Sequence, residues 1–176
     1  MDRYEGFREF VLARHGALSR TAYLLTGDHH LAEDLLQAAL VRTAAHWHRI
    51  AEGNPEAYLR RVMVNERTSR WRRRRYAVEV PATTDTLAAL AHPASTDTAD
   101  AVVRRTTLTA ALARLPARQR AVIVLRYFDD LSEVETAETL QCTVGTVKSQ
   151  THHALARLRA LAPALLSDQP HPEVTA

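Results

Sequence analysis

Apolar residues recur at helical spacing in two long tracts of the chain, and capping residues punctuate each tract. Phe7, Phe10, Val11 and Leu18, followed by Ala22, Leu24 and Leu25, form two apolar stripes that stop at Thr26-Gly27. Asp28 is placed to cap the next helix, whose stripe runs through Leu31, Leu35, Leu36, Leu40, Ala44 and Trp47. Gly53-Asn54-Pro55 then supplies a cap and a proline at the first helical position, so a further helix is predicted through Tyr58, Leu59, Val62 and Met63. The first tract is thus expected to hold four helices.

In the second tract, Val102 to Leu115 predicts one helix, and Pro116 opens another carrying Val122, Ile123, Leu125 and Arg126. Ser132-Glu133-Val134-Glu135 is a capping-box pattern, in which the Ser132 and Glu135 side chains satisfy each other's backbone donors. The helix it opens is short, ending near Leu140. The turn Gln141-Cys142-Thr143 follows, and Thr143 is placed to cap a longer helix with Val144, Val147, Ala154, Leu155 and Leu158 facing inward. Two helices joined by so tight a turn predict a helix-turn-helix, whose second helix enters the major groove of DNA. Helical spacing then turns Thr146, Ser149, Gln150 and His153 outward, flanked by Lys148 and His152. That face is polar, short-chained and mildly basic, and Gln150 suits bidentate contact with adenine. Periodicity alone fits a solvated face of a helical hairpin equally well.

Charge separates the tracts. Leu59 to Tyr76 holds eight arginines against Glu66 alone, whereas Ala77 to Asp100 has no Lys or Arg and carries Glu79, Asp85, Asp97 and Asp100. The reversal, with lost periodicity, predicts a module at residues 1–76, a flexible linker at 77–100, a second module at 101–163 and a polar tail at 164–176. Within the linker, Leu87 to Leu90 have the spacing for one helical turn. Lys148 is the only lysine among 23 basic residues, and the guanidinium groups of the rest suit phosphate and base edges. Arginines so dense repel one another unless a polyanion is present, and Trp71 and Tyr76 offer stacking surfaces for unpaired bases. The plainer alternative is a cationic run complementing a helix C-terminus.

A content of 46% hydrophobic and 24% charged residues excludes wholesale disorder, and five glycines in 176 residues fit an all-α chain. No apolar run approaches the ~18 residues of a membrane span, and the N-terminus lacks a charged-then-apolar leader, so a cytoplasmic protein with no membrane partner is expected. Cys142, the single cysteine, forms no internal disulfide and is expected to be a small packing residue. The histidine pairs His29-His30, His46/His48 and His152-His153 invite a metal reading, but neighbours on a helix point about 100° apart and no Cys pair or His-Glu-x-x-His pattern occurs. No metal and no cofactor are expected. Without a Gly-rich phosphate loop or Ser-His-Asp ordering, an enzyme is not expected, and a histidine hydrolase is the remotest class.

Four motifs carry a family resemblance: Leu31-Ala32-Glu33-Asp34-Leu35-Leu36-Gln37; Tyr58-Leu59-Arg60-Arg61-Val62 with Asn65; Leu115-Pro116-Ala117-Arg118-Gln119-Arg120-Ala121-Val122; and Val144-Gly145-Thr146-Val147-Lys148-Ser149. Over about residues 5–162 the chain resembles the bacterial extracytoplasmic-function (ECF) sigma factors of the sigma-70 family. Leu-Arg-Tyr at 125–127, Glu-Thr-Ala-Glu at 135–138 and Trp-Arg-Arg-Arg-Arg at 71–75 are most similar to the actinobacterial SigE-type subgroup. The resemblance implies that sigma domain 2 docks on core RNA polymerase through Glu33, Asp34 and Gln37. It implies that the loop from His46 to Glu56 and the helix after it capture melted minus-ten bases, with Tyr58, Arg60, Arg61, Asn65, Arg67, Arg70, Trp71 and Arg72 as DNA-binding residues. In sigma domain 4 it implies minus-thirty-five contacts from Thr143, Thr146, Lys148, Ser149, Gln150, His152 and His153. Core polymerase and promoter DNA are the partners implied, with an anti-sigma factor left open.

The sequence departs from the family pattern at Tyr58, where Trp is frequent, and at Gln141, where Gly is frequent. It departs also at Thr151, where an aliphatic residue is usual, and at His153, where Arg is frequent. The alternative class is a free-standing helix-turn-helix regulator binding duplex DNA as a dimer. The first module argues against it, since such a regulator needs an oligomerisation or effector domain.

Overall fold

The computed structural model describes residues 4–76 and 99–163, leaving aside the side chains of residues 70–76 and 99–100. Most of the expected linker, its helical turn and the tail lie outside the described residues. Among the described residues are seven helices and no strand: α1 (Phe7–Thr26), α2 (His29–Ile50), α3 (Pro55–Tyr76), α4 (Ala99–Ala113), α5 (Ala117–Tyr127), α6 (Glu133–Leu140) and α7 (Val144–Leu161).

The first tract holds three helices where the apolar stripes predicted four, because Phe7–Thr26 is one unbroken helix. Gly16 lies exposed in open space within it. Its cost of about 0.5–1 kcal/mol relative to alanine is too small to end a helix whose later half is anchored in the core. Leu18, Ala22, Leu24 and Leu25 supply that anchor.

The caps fall where the sequence placed them. Gly27 ends α1 in the left-handed region at φ 76°, its N–H donating to the Tyr23 carbonyl at 2.7 Å. Asp28 accepts the Leu31 N–H at 2.8 Å, and Asn54 accepts the Ala57 N–H at 2.9 Å. Ser132 and Glu135 form the reciprocal pair, and the bonds from the Ser132 hydroxyl and amide hold the Glu135 carboxyl below its ordinary value. Thr143 accepts the Thr146 N–H at 3.1 Å and opens α7. Gly27 satisfies a carbonyl of the last turn of α1, and each of the other caps satisfies a donor that the first helical turn leaves without an intrahelical partner.

Gln141, between α6 and α7, sits at φ 52°, ψ 50°, the left-handed conformation that glycine adopts without strain. The strain on a side-chain-bearing residue is about 1–2 kcal/mol, of which the greater unfolded-state freedom of glycine offsets roughly 0.5–1 kcal/mol. Gln141→Gly is therefore expected to stabilise the protein by about 0.5–1 kcal/mol and to raise Tm by roughly 2 °C in a calorimetric scan. A fall in Tm would show that the glutamine side chain contributes more than its backbone costs.

The helices α1, α2 and α3 pack as one group and α4 to α7 as another, and the two groups close on each other where α1 meets α4 and α5 and where α3 meets α5 and α6. A single apolar cluster runs through both, with Leu18, Leu35, Leu59 and Met63 from the first group and Leu112 and Leu125 from the second. Burial of each such side chain stabilises the fold by about 1.5–3 kcal/mol. A smaller cluster of Val122, Ala137 and Val147 lies under the α6–α7 turn, where half-buried Cys142 packs against it. At the chain start, Phe7 and Phe10 flank Trp47, whose indole N–H donates to the Glu5 carbonyl at 2.7 Å.

Candidate nucleic-acid interface

The α6–α7 pair has the form of a helix-turn-helix. Val147, Ala154 and Leu158 are buried on one side of α7, with Val144 and Leu155 half-buried beside them. The opposite side exposes Thr143, Lys148, Ser149, His152 and His153, while Thr146 and Gln150 are half-buried at its edge. The Thr146 hydroxyl lies 2.9 Å from that of Thr143 and is engaged at the cap. Lys148 Nζ stands 3.6 Å from Glu133 of α6, an exposed pair worth at most about 1 kcal/mol, so the lysine remains available to an outside anion. Thr151 returns its hydroxyl to the Val147 carbonyl at 2.8 Å, which removes the cost of a polar group in an aliphatic position.

On α2, Glu33, Asp34 and Gln37 are all exposed, while Leu35 and Leu36 are buried on the other side of the helix. Asp34 and Gln37, three positions apart, share one open face.

The stretch from His46 to Glu56, expected as a loop, is instead mostly helical, because the apolar stripe of α2 continues through buried Trp47 and Pro55 opens α3. His46 to Ile50 complete α2, and Pro55 already opens α3, leaving residues 51–54 as the connection. Tyr58 lies half-buried at the start of α3, its ring 5.8 Å from that of His46 and 5.3 Å from the Arg61 guanidinium, a cation–π distance. Asn65 is exposed further along. Arg67 directs its Nε to the Leu25 carbonyl at 3.1 Å and so helps to hold the end of α1. Arg70, Trp71 and Arg72 continue the same helix, their side chains outside the described set. Arg60 is engaged within the protein: its Nη2 meets Glu56 at 2.6 Å and its Nε meets Asp129 at 2.9 Å.

Two residues of this region were not singled out by sequence. Asp129 follows α5 and bonds both Arg60 and Thr21, residues 69 and 108 positions away. Burial pushes its carboxyl above the ordinary value, and the bonds from Thr21 and Arg60 offset only part of that. Arg120 lies buried in α5 and reaches the carbonyls of Leu25 and Thr26. A signal for it existed, since Arg120 shares a helix face with Ile123 and Val124, an apolar stripe where a charge needs partners.

Among the described residues no three His, Cys, Asp or Glu side chains come together in a group able to hold a metal ion, and no helix is long and apolar enough to cross a membrane.

Comparison with known proteins adds the class. Residues 10–76 match the family model for sigma-70 region 2, and residues 105–158 match that for sigma-70 region 4. The chain belongs to the sigma-70 family of RNA polymerase sigma factors, in its ECF group: it binds core RNA polymerase and directs promoter recognition and transcription initiation. It is 44% identical to the RNA polymerase sigma-E factor of Streptomyces avermitilis over 154 residues, 87% of this chain and 83% of that one. It is 35% identical to the ECF RNA polymerase sigma factor SigL of Mycobacterium tuberculosis over 149 residues, 81% of this chain and 80% of that one. Among solved structures, the sigma factor RpoE of Bartonella quintana, in complex with the anti-sigma factor NepR, superposes with a TM-score of 0.70 at 28% identity, covering 88% of this chain and 95% of that one. CnrH, in complex with the cytosolic domain of CnrY, shares the fold with a TM-score of 0.59 at 23% identity, covering 91% of this chain and 89% of that one.

Proposed function

We propose that this sigma factor works in the cytoplasm without catalysis of its own, dividing its contacts among three faces. The exposed face of α2 with Glu33, Asp34 and Gln37 docks on a basic surface of core polymerase. Helix α3 receives the melted minus-ten strand, with Tyr58 as stacking platform, Asn65 on a base edge, and Arg60, Arg61, Arg70, Trp71 and Arg72 along the strand. Arg67 contributes by fixing the end of α1. Helix α7 reads the minus-thirty-five element through Thr143, Thr146, Ser149, Gln150, His152 and His153, with Lys148 on a phosphate. The observation that carries this reading is that two open polar faces, one on α2 and one on α7, fall within the segments matching regions 2 and 4. The structure of RpoE with NepR supports an anti-sigma factor as a further partner.

The test is transcription in vitro by core polymerase with and without this protein, with the transcript starts sequenced. Transcripts from a defined promoter set, absent with core alone, are expected. DNA binding as a free dimer with no effect on polymerase would instead favour the independent regulator.

The division of labour on α7 is separately measurable with a randomised minus-thirty-five library. Gln150→Ala or His153→Ala is expected to change which sequences are preferred, since a base-edge contact discriminates by ~1–3 kcal/mol. Lys148→Ala is expected to weaken all sequences alike and to lower the salt slope of binding by about one. An unaltered ranking in the Gln150 and His153 variants would place the readout elsewhere.

A further inference from the structure

The ion pair that joins the two helical groups falls on an arginine assigned above to the minus-ten strand. Arg60 is 13% exposed, with Asp129 on its Nε and Glu56 on its Nη2. Asp129 is 7% exposed, and its second oxygen accepts the Thr21 hydroxyl of α1 at 2.7 Å. The turn that presents this carboxylate is built by the second group: the Asp129 N–H donates to Val124 at 3.1 Å, the Leu131 N–H donates to Leu125 at 3.0 Å, and Asp130 takes a left-handed φ of 53°. Asp129 therefore moves with α5. It cannot stay on Arg60 if the groups separate.

A carboxylate on a guanidinium edge uses the same N–H donors and much the same geometry as a phosphate. Resting on the assignment of Arg60 to DNA, we propose that Asp129 is an internal phosphate mimic that latches the second helical group over the minus-ten surface and competes with the promoter strand for Arg60. Thr21 positions the carboxylate from α1, and Glu56 holds the guanidinium from within α3. Arg60 cannot offer its Nε to a phosphate while the latch is shut, so exposure of the arginine and separation of the groups are one event. The closed population lowers the apparent affinity for DNA by the fraction of molecules that are open. Burial of an ionised carboxylate disfavours the closed form by itself, which keeps such a latch releasable.

The experiment uses the full chain without polymerase, measuring its radius of gyration by X-ray scattering and its binding to a forked DNA with a single-stranded minus-ten segment. Asp129→Ala is expected to enlarge the radius and to tighten forked-DNA binding about tenfold, as removal of a competing closed state requires. Adding Arg60→Ala should erase the gain in affinity, and Asp130→Asn, the same charge change one residue on, should produce neither effect. The latch is overturned if Asp129→Ala leaves the radius unchanged, if the chain expands without binding DNA more tightly, or if the gain survives loss of Arg60. The unmodified chain gives a test that no folding defect can confound: forked DNA should lengthen the distance between fluorescent labels placed on exposed positions of α2 and α7, and an unchanged distance would also refute the latch. Initiation by core polymerase is scored separately. Its absence would overturn the sigma assignment, whereas the radius and distance results judge the latch.

Discussion

Asp34→Arg combined with Gln37→Ala is expected to abolish co-purification with core RNA polymerase while leaving helix content and Tm unchanged. Both side chains are exposed and neither has a tertiary partner among the described residues, while the buried Leu35 and Leu36 that anchor α2 are untouched. Surface substitutions of this kind alter stability by no more than about 0.5 kcal/mol. At a docked interface the same change sets a cation against a basic partner. Misplacing a charge that binding buries costs about 2–5 kcal/mol, roughly 30- to 5,000-fold in affinity. Pull-down with core enzyme measures the first effect and circular dichroism the second. Retention of full binding by a folded variant would move the docking face off α2.

The second large effect is on stability. Among the described residues the buried Arg120 has no carboxylate partner, and its guanidinium is held by backbone carbonyls: Leu25 at 3.0 Å and Thr26 at 3.4 Å at the end of α1, then Ala113 and Leu115 where α4 ends. Carbonyls at a helix C-terminus carry partial negative charge, so two helix ends act as the counter-ion. Burial first, and the nearby Arg67 second, push the Arg120 pKa down to about 10, which still leaves the group charged at neutral pH. Arg120→Met keeps most of the side-chain volume but removes the donor from the Thr26, Ala113 and Leu115 carbonyls, while Leu25 still accepts from Arg67, at about 1–3 kcal/mol for each group left orphaned. The desolvation of the lost charge is recovered in part, so a net destabilisation of about 2–4 kcal/mol is expected. Urea unfolding followed by circular dichroism should show a lower midpoint. An unchanged midpoint would mean that water satisfies the carbonyls and that the guanidinium is dispensable.

Elements whose ends are set by near neighbours were legible in the sequence. Asp28, Asn54, Ser132 and Thr143 each cap a helix through a bond spanning three residues, so the signal and its partner lie within one turn. The left-handed turn at Gln141 was signalled only by the family pattern, in which glycine is frequent at that position. Misread was the continuity of α1, where two apparent stripes proved to be one helix: Gly16 weakens a helix but does not break it, and only packing against α2 and α3 settles the matter.

The sequence by itself determined an all-α chain, the helix-turn-helix, the charge division between its tracts, the exposed face of α2 and that of α7 except at Thr146 and Gln150, which are half-buried, because periodicity and capping act over a few residues. The tertiary structure alone decided that the two helical groups share a core, that Arg120 bridges the ends of α1 and α4, and that Arg60 is held by a carboxylate 69 positions away. A pairing across that distance leaves no local trace. It exists only once loop closure has brought the groups together and the burial of Leu112 and Leu125 against the first group has offset the entropy of doing so.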